Sequence, residues 1–277
     1  MSSVYIIAEI GINHNGDIRL AKKLIQQSKE SGADAVKFQK RTIDLVYTPE
    51  ELDRYRESPW GTTNRQQKEG LEFSMGQYRK LEKYANDLGM DFIVSCWDTN
   101  SVDVVEEHLN IKYHKVASAL ATDKTFLQKL NETGRPVILS TGMCTTEEIN
   151  AAIEILDNVE IVLACTSTYP TKPEEVNLRH INTLREQHPD LKIGFSNHYN
   201  GLDACVGSVA VGAECVEFHV TNDRASYGSD QAASIEDSHS LVQAIRSMEL
   251  MLGDGQKRVY DSEVPILNKL RKVNDIV

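Results

Sequence analysis

Two histidines occupy matching places late in the chain. The stretch from Lys192 to Gln231 carries two short apolar runs, Leu191–Phe195 at its start and Cys215–Phe218 further on. Small and apolar residues at helical spacing fill Leu202–Gly212 between them. A strand, a helix and a strand of these lengths make a parallel βαβ unit, in which both strands end on the same side. His198 follows the first strand and His219 follows the second. Both imidazoles are therefore predicted on one face, on neighbouring strands, within reach of one ion. Imidazole suits Mn, Fe, Co and Zn. The competing reading is a pair of unrelated loop histidines.

Two lysines fall inside predicted strands, Lys37 in ADAVKF and Lys115 in YHKVA. Lysine is rarely fully buried unless paired. One reading pairs them with Glu9 or Glu217. A second makes them the cations of an anion cradle, with Ser95, Ser118, Ser140, Ser167 and Ser196 as hydrogen-bond donors at other strand ends. A third is an imine-forming lysine. Two lysines with five hydroxyls favour the cradle over imine chemistry.

Stepping through the chain gives the elements that must position these groups. Predicted strands cover Val4–Glu9, Ala33–Phe38, Asp91–Ser95, Tyr113–Ala117, Pro136–Leu139, Val159–Cys165, Leu191–Phe195 and Cys215–Phe218. Predicted helices alternate with them: 17–31, 75–88, 101–109, 123–132, one begun by Thr145 and Thr146, 177–187, 202–212 and 235–252. Eight strand–helix pairs are the signature of an α/β fold, the (β/α)8 TIM barrel, whose chemistry sits at the C-terminal ends of the strands. The whole of 1–277 reads as one domain, with 253–277 as a charged tail packed on the outside of the barrel. The segment Gln39–Phe73 is too long for an ordinary connection and reads as an excursion over the barrel mouth, with short helices in it.

The chain has 277 residues, 40% of them hydrophobic, and a formal net charge of −11. That is enough for one large core. The acidic balance argues against nucleic acid as a partner, since that needs a basic face. No apolar run approaches the roughly 20 residues of a membrane span. The first residues, MSSVYIIAEIG, have no basic n-region and read as a strand rather than a signal peptide. The five cysteines show no CxxC pair or framework spacing, which predicts reduced thiols and a cytoplasmic protein.

Seven motifs then occur in order: AEIGINHNGD (8–17), AVKFQ (35–39), KVAS (115–118), ILSTGM (138–143), CTSTYP (165–170), GFSNH (194–198) and EFHVTNDR…GSD (217–230). Together, over roughly residues 5–255, they resemble the N-acetylneuraminate (sialic acid) synthase family. The resemblance implies condensation of phosphoenolpyruvate with a sugar aldehyde to give a 2-keto-3-deoxy sugar acid, with release of phosphate. It implies a divalent metal, with Mn²⁺ first and Mg²⁺ or Co²⁺ as substitutes. By position, Lys37, Lys115, Ser95, Ser118, Ser140, Ser167 and Ser196 resemble the phosphoenolpyruvate cradle. His198 and His219 resemble the metal ligands. Glu9, Tyr169 and Asp230 resemble the contacts to the acceptor, and Glu9 is also the first candidate to orient the attacking water.

The departures fall on the acceptor side. VSCWD (94–98) stands where the family commonly has STPFD. Leu120 stands where a Glu is frequent, SNHY (196–199) replaces SDHT, and GSDQ (228–231) replaces GPDH. The donor chemistry is therefore expected to be kept and the sugar to be open. Many members also carry a C-terminal antifreeze-like domain that reaches into a neighbour's active site, and a homo-oligomer is compatible with the resemblance. The present sequence stops before that domain, so cover for the barrel mouth is expected from 39–73, as a lid that orders on binding substrate. Arg41, Arg54, Arg56 or Arg65 would then replace the arginine that domain supplies. Two rival functions are an aldolase with Lys115 as its imine and a non-catalytic sugar-binding barrel. The retained lysine and histidine pairs speak against the second.

Overall fold

Alternate residues of each strand point to opposite faces, and here both faces are buried. The computed structural model describes residues 3–273. Eight parallel strands close a barrel: β1 (Tyr5–Gly11), β2 (Ala35–Lys40), β3 (Asp91–Cys96), β4 (His114–Val116), β5 (Val137–Ser140), β6 (Val159–Cys165), β7 (Lys192–Asn197) and β8 (Cys215–His219). They stand in sequence order, and β8 closes on β1 with Tyr5 opposite Cys215 and Glu9 opposite His219. Helices lie between successive strands, so the fold is the (β/α)8 barrel.

The two faces carry two cores. Outward residues such as Ile6, Ala8, Val36, Phe38, Phe92 and Val94 pack under the helices. Inward residues Ile7, Ala35, Ile93, Tyr113, Ile138, Ile161, Leu163 and Cys215 form a separate plug in the barrel. Burying such a side chain is worth about 1.5–3 kcal/mol, and the plug also keeps water out from below. One step up, on seven of the eight strands, the inward residue changes character, to Glu9, Lys37, Ser95, Lys115, Ser140, Ser196 and Glu217, all buried. An apolar floor thus supports a polar layer at the C-terminal end.

The helix ends follow from local chemistry. Asp17 caps Ile18–Ser31 by accepting from the Arg19 amide at 2.7 Å, and Gly32 ends that helix at a φ of +93°. Thr145 and Glu148 make a reciprocal capping box for Thr146–Ile155.

The segment 39–73 folds into Ile43–Val46, Pro49–Asp53, a hairpin of Tyr55–Ser58 with Gly61–Thr63, and Asn64–Leu71. Thr48 and Thr63 head capping boxes. Leu52, Gln67, Leu71 and Phe73 are buried, and Phe73 stacks on His14 with ring centroids 4.1 Å apart. Trp60 lies flat on Gly70, where a Cβ would meet its Cγ at 2.1 Å. Capped, packed elements form a wall beside the mouth.

The tail differs from expectation. Residues 253–273 are exposed almost throughout, with Leu267 half-buried. Val264–Leu270 is helical, but Val264, Ile266 and Leu270 point into solvent. The helix Ser238–Leu252 contributes Leu241, Val242 and Ile245 to the outer core, and the described tail residues add none to it. Residues 274–277 lie outside the described residues. No described helix is long and apolar enough to cross a membrane.

Candidate active site

The polar layer lines a cavity of about 270 Å³ at the strand C-termini. Every candidate from the sequence reaches it except Asp230: Glu9, Lys37, Ser95, Lys115, Ser118, Ser140, Ser167, Tyr169, Ser196, His198 and His219, joined by Glu217. Asp230 lines the chamber next to it, with its Oδ2 3.6 Å from His219 Nδ1.

The lysines are ion-paired, as the first of the three readings had it. Lys37 Nζ lies 2.7 Å from Glu9 and 3.7 Å from Glu217, and Lys115 Nζ lies 3.5 Å from Glu217. The register explains the grouping: Glu9 is directly opposite Lys37 on β2, and Glu217 is opposite Ser196 on β7. Burial works against the Lys37 charge, but Glu217 and Glu9 outweigh it and hold its pKa above the usual lysine value. Among the described residues Lys115 has one carboxylate partner, and burial, aided by the Lys37 charge, draws its pKa below the ordinary value. Burial likewise opposes ionisation of Glu217, yet Lys115 and Lys37 hold its carboxyl well below the usual range. The pairing does not exclude the cradle, because an incoming anion can exchange for a carboxylate beside each ammonium.

The hydroxyls are partly committed. Ser95 donates to the Lys115 carbonyl at 3.1 Å, and Ser196 donates to Glu217 at 3.0 Å. Ser118 Oγ accepts from the Gly142 amide at 3.0 Å. Ser140 Oγ is buried with no hydrogen-bond partner. Gly142 keeps the cradle open, since a Cβ there would meet Ser167 Oγ at 2.1 Å and Ser118 Oγ at 2.8 Å.

The two imidazoles come together as expected, with centroids 5.3 Å apart. His198 Nδ1 lies 2.7 Å from the Thr166 carbonyl, which can only accept, so Nδ1 carries the proton. Its Nε2 lone pair then faces the cavity and accepts from the Tyr169 hydroxyl at 2.8 Å. His219 Nδ1 is buried with no hydrogen-bond partner, and burial depresses the imidazole pKa despite Asp230 and Glu9. A fixed lone pair, a second imidazole with an unpartnered nitrogen and a nearby carboxylate fit a divalent ion. Among the described residues no three His, Cys, Asp or Glu side chains are gathered as a preformed metal group. A metal would therefore draw on substrate or water for its remaining ligands.

Other strand-end residues make local structural contacts. Asn13 donates to the Val220 carbonyl at 2.9 Å and to Ser234 Oγ at 2.8 Å. Burial pushes the His14 imidazole down to about 3, and its Nδ1 accepts from the Gly16 amide. Asp98 caps the helix Thr99–His108. Of the four arginines offered for the mouth, Arg41 alone lines the chamber beside the site. Arg54 and Arg56 line a separate surface pocket, and Arg65 pairs with Asp44 at 2.7 Å on the surface. Sequence reasoning did not single out Trp97, Cys165 or Lys68. Trp97 and Cys165 sit at the predicted strand ends and could have been found by position. Lys68 lies on a helix of the excursion, where no strand periodicity ties it to the mouth.

A model of the NeuB family matches residues 24–257. The chain is 38% identical over 275 residues to N-acetylneuraminate-9-phosphate synthase of Homo sapiens, covering 97% of this chain and 76% of that one. It is 37% identical over 281 residues to N,N'-diacetyllegionaminic acid synthase of Legionella pneumophila, covering 97% and 78%. Its fold superposes on an N-acetylneuraminic acid (sialic acid) synthetase from Leptospira borgpetersenii, crystallised with citrate. That match has a TM-score of 0.84 at 28% identity and covers 98% of this chain and 94% of that one. The chain therefore belongs to the NeuB family of sialic acid synthases, and it is an enzyme of that carbon–carbon bond-forming class.

Proposed function

We propose that the enzyme condenses phosphoenolpyruvate with an N-acetylmannosamine-like sugar aldehyde and water, giving a 2-keto-3-deoxy sugar acid and inorganic phosphate. One observation carries the reading: two buried lysines and the unpartnered Ser140 hydroxyl converge in a cavity that two imidazoles overlook. The curated relatives are named for different sugar-acid products. The choice of sugar accordingly rests on this chain's own contacts.

In the proposed reaction C3 of phosphoenolpyruvate bonds to the aldehyde carbon, whose oxygen takes a proton. Water adds at C2, and the intermediate loses phosphate by breaking the C2–O bond, leaving the keto group. Lys37 and Lys115, with Ser95, Ser118, Ser140, Ser167 and Ser196, hold the donor's carboxylate and phosphate; this supplies orientation as well as charge. Glu9 borders the inner cavity beside Lys37 and is the proposed acceptor of the proton from water. Tyr169 and Asp230 flank the passage to the outer chamber and would hold the acceptor's hydroxyls. His198 and His219 would hold a divalent ion, Mn²⁺ first and Mg²⁺ or Co²⁺ as substitutes. Such an ion would supply Lewis acidity to the aldehyde oxygen.

The test is phosphate release from phosphoenolpyruvate with Mn²⁺ and a panel of aldoses: N-acetylmannosamine, its 6-phosphate, a diamino sugar and a pentose. Release that depends on the aldose, with a keto-acid product, is expected. No release with any of them overturns the reading. The lowered pKa of Lys115 gives an imine-forming aldolase its one specific support. Borohydride added with pyruvate would trap that imine, and we expect full activity to survive the treatment.

A further inference from the structure

Beyond the inner cavity opens a second chamber of about 290 Å³. Gln39, Trp97 and Tyr169 border both, so a ligand with its aldehyde beside the imidazoles can extend its other end outward. Two cations face this chamber, Arg41 and Lys68. Among the described residues neither has a carboxylate within the 4.0 Å of an ion pair. The chamber's acids are engaged elsewhere: Glu72 lies 2.7 Å from Lys40, and Asp230 faces His219.

The surroundings hold the cations in place without neutralising them. The Arg41 guanidinium stacks 4.2 Å from the Trp97 ring and donates through Nη2 to Gln39 Oε1. Gln39 in turn donates to Glu9 at 2.6 Å, which links the outer arginine to the inner layer. The Arg41 Nε is buried and has no hydrogen-bond partner. Lys68 Nζ sits 4.9 Å from the centre of the Tyr47 ring. Burial first, then Arg41 and Arg56, push its pKa down to about 8. In a chain with a net charge of −11, neighbouring cations left without a counter-charge are suited to an anion that arrives from outside.

We propose that Arg41 and Lys68 form a subsite for a phosphate monoester on the acceptor sugar, at the end remote from the aldehyde, and so select a phosphorylated acceptor. This rests on the condensation proposed above. The donor's own anionic groups are accounted for by Lys37 and Lys115. The outer pair is left for the other substrate, and a planar guanidinium beside a mobile ammonium matches a terminal phosphate.

The test compares kcat/KM for N-acetylmannosamine and for its 6-phosphate at saturating phosphoenolpyruvate and Mn²⁺. The wild-type enzyme is expected to prefer the phosphorylated sugar. Lys68→Met and Arg41→Met should each lower that preference about tenfold or more, mainly through KM for the phosphorylated sugar, as loss of a charge-assisted contact predicts. Lys68→Arg should restore most of it. Arg41→Met can disturb packing on Trp97, so Lys68→Met, on the partly exposed face of its helix, decides if the arginine variant does not fold. An unchanged preference in Lys68→Met overturns the proposal. So does a variant that changes inhibition by inorganic phosphate but not the preference, because the pair would then hold released phosphate. Turnover of neither sugar by the wild type would instead sink the condensation reading itself.

Discussion

In the inner cavity Lys37 and Lys115 are tied to Glu9 and Glu217 at 2.7–3.7 Å, whereas in the outer chamber the Arg41 guanidinium and the Lys68 ammonium meet no carboxylate of the described residues within 4.0 Å. The difference follows from the solvent each pair sees. The inner lysines stand on an apolar plug, where an uncompensated charge costs several kcal/mol, so the fold supplies its own counter-ions. Arg41 and Lys68 are half-buried, and the water that reaches them keeps an unpaired cation tolerable. An anion entering the inner cavity must therefore exchange with a resident carboxylate. One entering the outer chamber has only water to displace. The proposed inner site would thus discriminate and the proposed outer one capture.

Four substitutions and two changes of solution test this contrast. The largest effect is expected from the imidazoles between the two regions. Chelation should abolish turnover and Mn²⁺ should restore it, and His198→Ala should lose most of the metal affinity in equilibrium dialysis. Full turnover in excess chelator would remove the metal from the picture.

Glu217→Gln comes next, because it strips the inner layer of the carboxylate that serves both lysines. Leaving Lys115 unpaired should cost about 3–5 kcal/mol in urea unfolding. Glu217 has a depressed pKa in the folded chain, so its contribution is present above the unfolded value and is lost as pH falls toward the folded one. The wild-type and variant stability curves should therefore separate above the ordinary carboxyl value of 4.5 and converge in acid. Parallel curves at all pH values would show that the pairing is not what stabilises this layer.

Lys115→Met should raise KM for phosphoenolpyruvate and lower kcat, with a total loss of about 2–5 kcal/mol. Millimolar phosphoenolpyruvate should raise the Tm of the wild type and leave that of the variant nearly unchanged. If it protects neither, the lysines are counter-ions for Glu9 and Glu217 and nothing more.

The outer chamber should respond to pH on a smaller scale. Burial, Arg41 and Arg56 lower the Lys68 pKa to about 8, against the opposing pull of Asp230 and Glu51. As pH rises through about 8 the ammonium is lost, so KM for the phosphorylated acceptor should climb severalfold. A flat profile would separate Lys68 from the ligand. Arg65→Ala should change neither acceptor's kinetics, because that arginine already pairs with Asp44 and Glu69 on the outside of the wall.

Much of the barrel was legible because its strands are short apolar runs ended by glycine or polar residues. Observed boundaries moved mostly toward the C-terminus, as at Lys40 and Asn197, where pairing continues into residues that look like loop. Lys37 and Lys115 stood out because a charge inside an apolar strand contradicts its surroundings. Their counter-ions could be named but not chosen, since register decides which carboxylate faces which lysine. The wall was harder to read. Arg41 was one arginine among four and Lys68 went unnoticed, because helices and a hairpin fold back in ways that no single periodicity encodes. The tail was misjudged for a related reason: Val264, Leu267 and Leu270 have helical spacing, but spacing does not say whether that face packs on the barrel or stays in solvent.

The closure of β1 on β8 has a consequence for synthesis. Glu9 leaves the ribosome well before Glu217 and His219, because β1 precedes β8 in the chain. Until the last strand docks, Lys37 lacks one of its two carboxylates and Lys115 lacks its only one. A seven-stranded intermediate therefore cannot shut its interior with both lysines charged, and the final strand completes the architecture and the charge balance in one step. The last strand also brings the second imidazole of the proposed metal site, so a nascent chain lacks that pair until its barrel is whole.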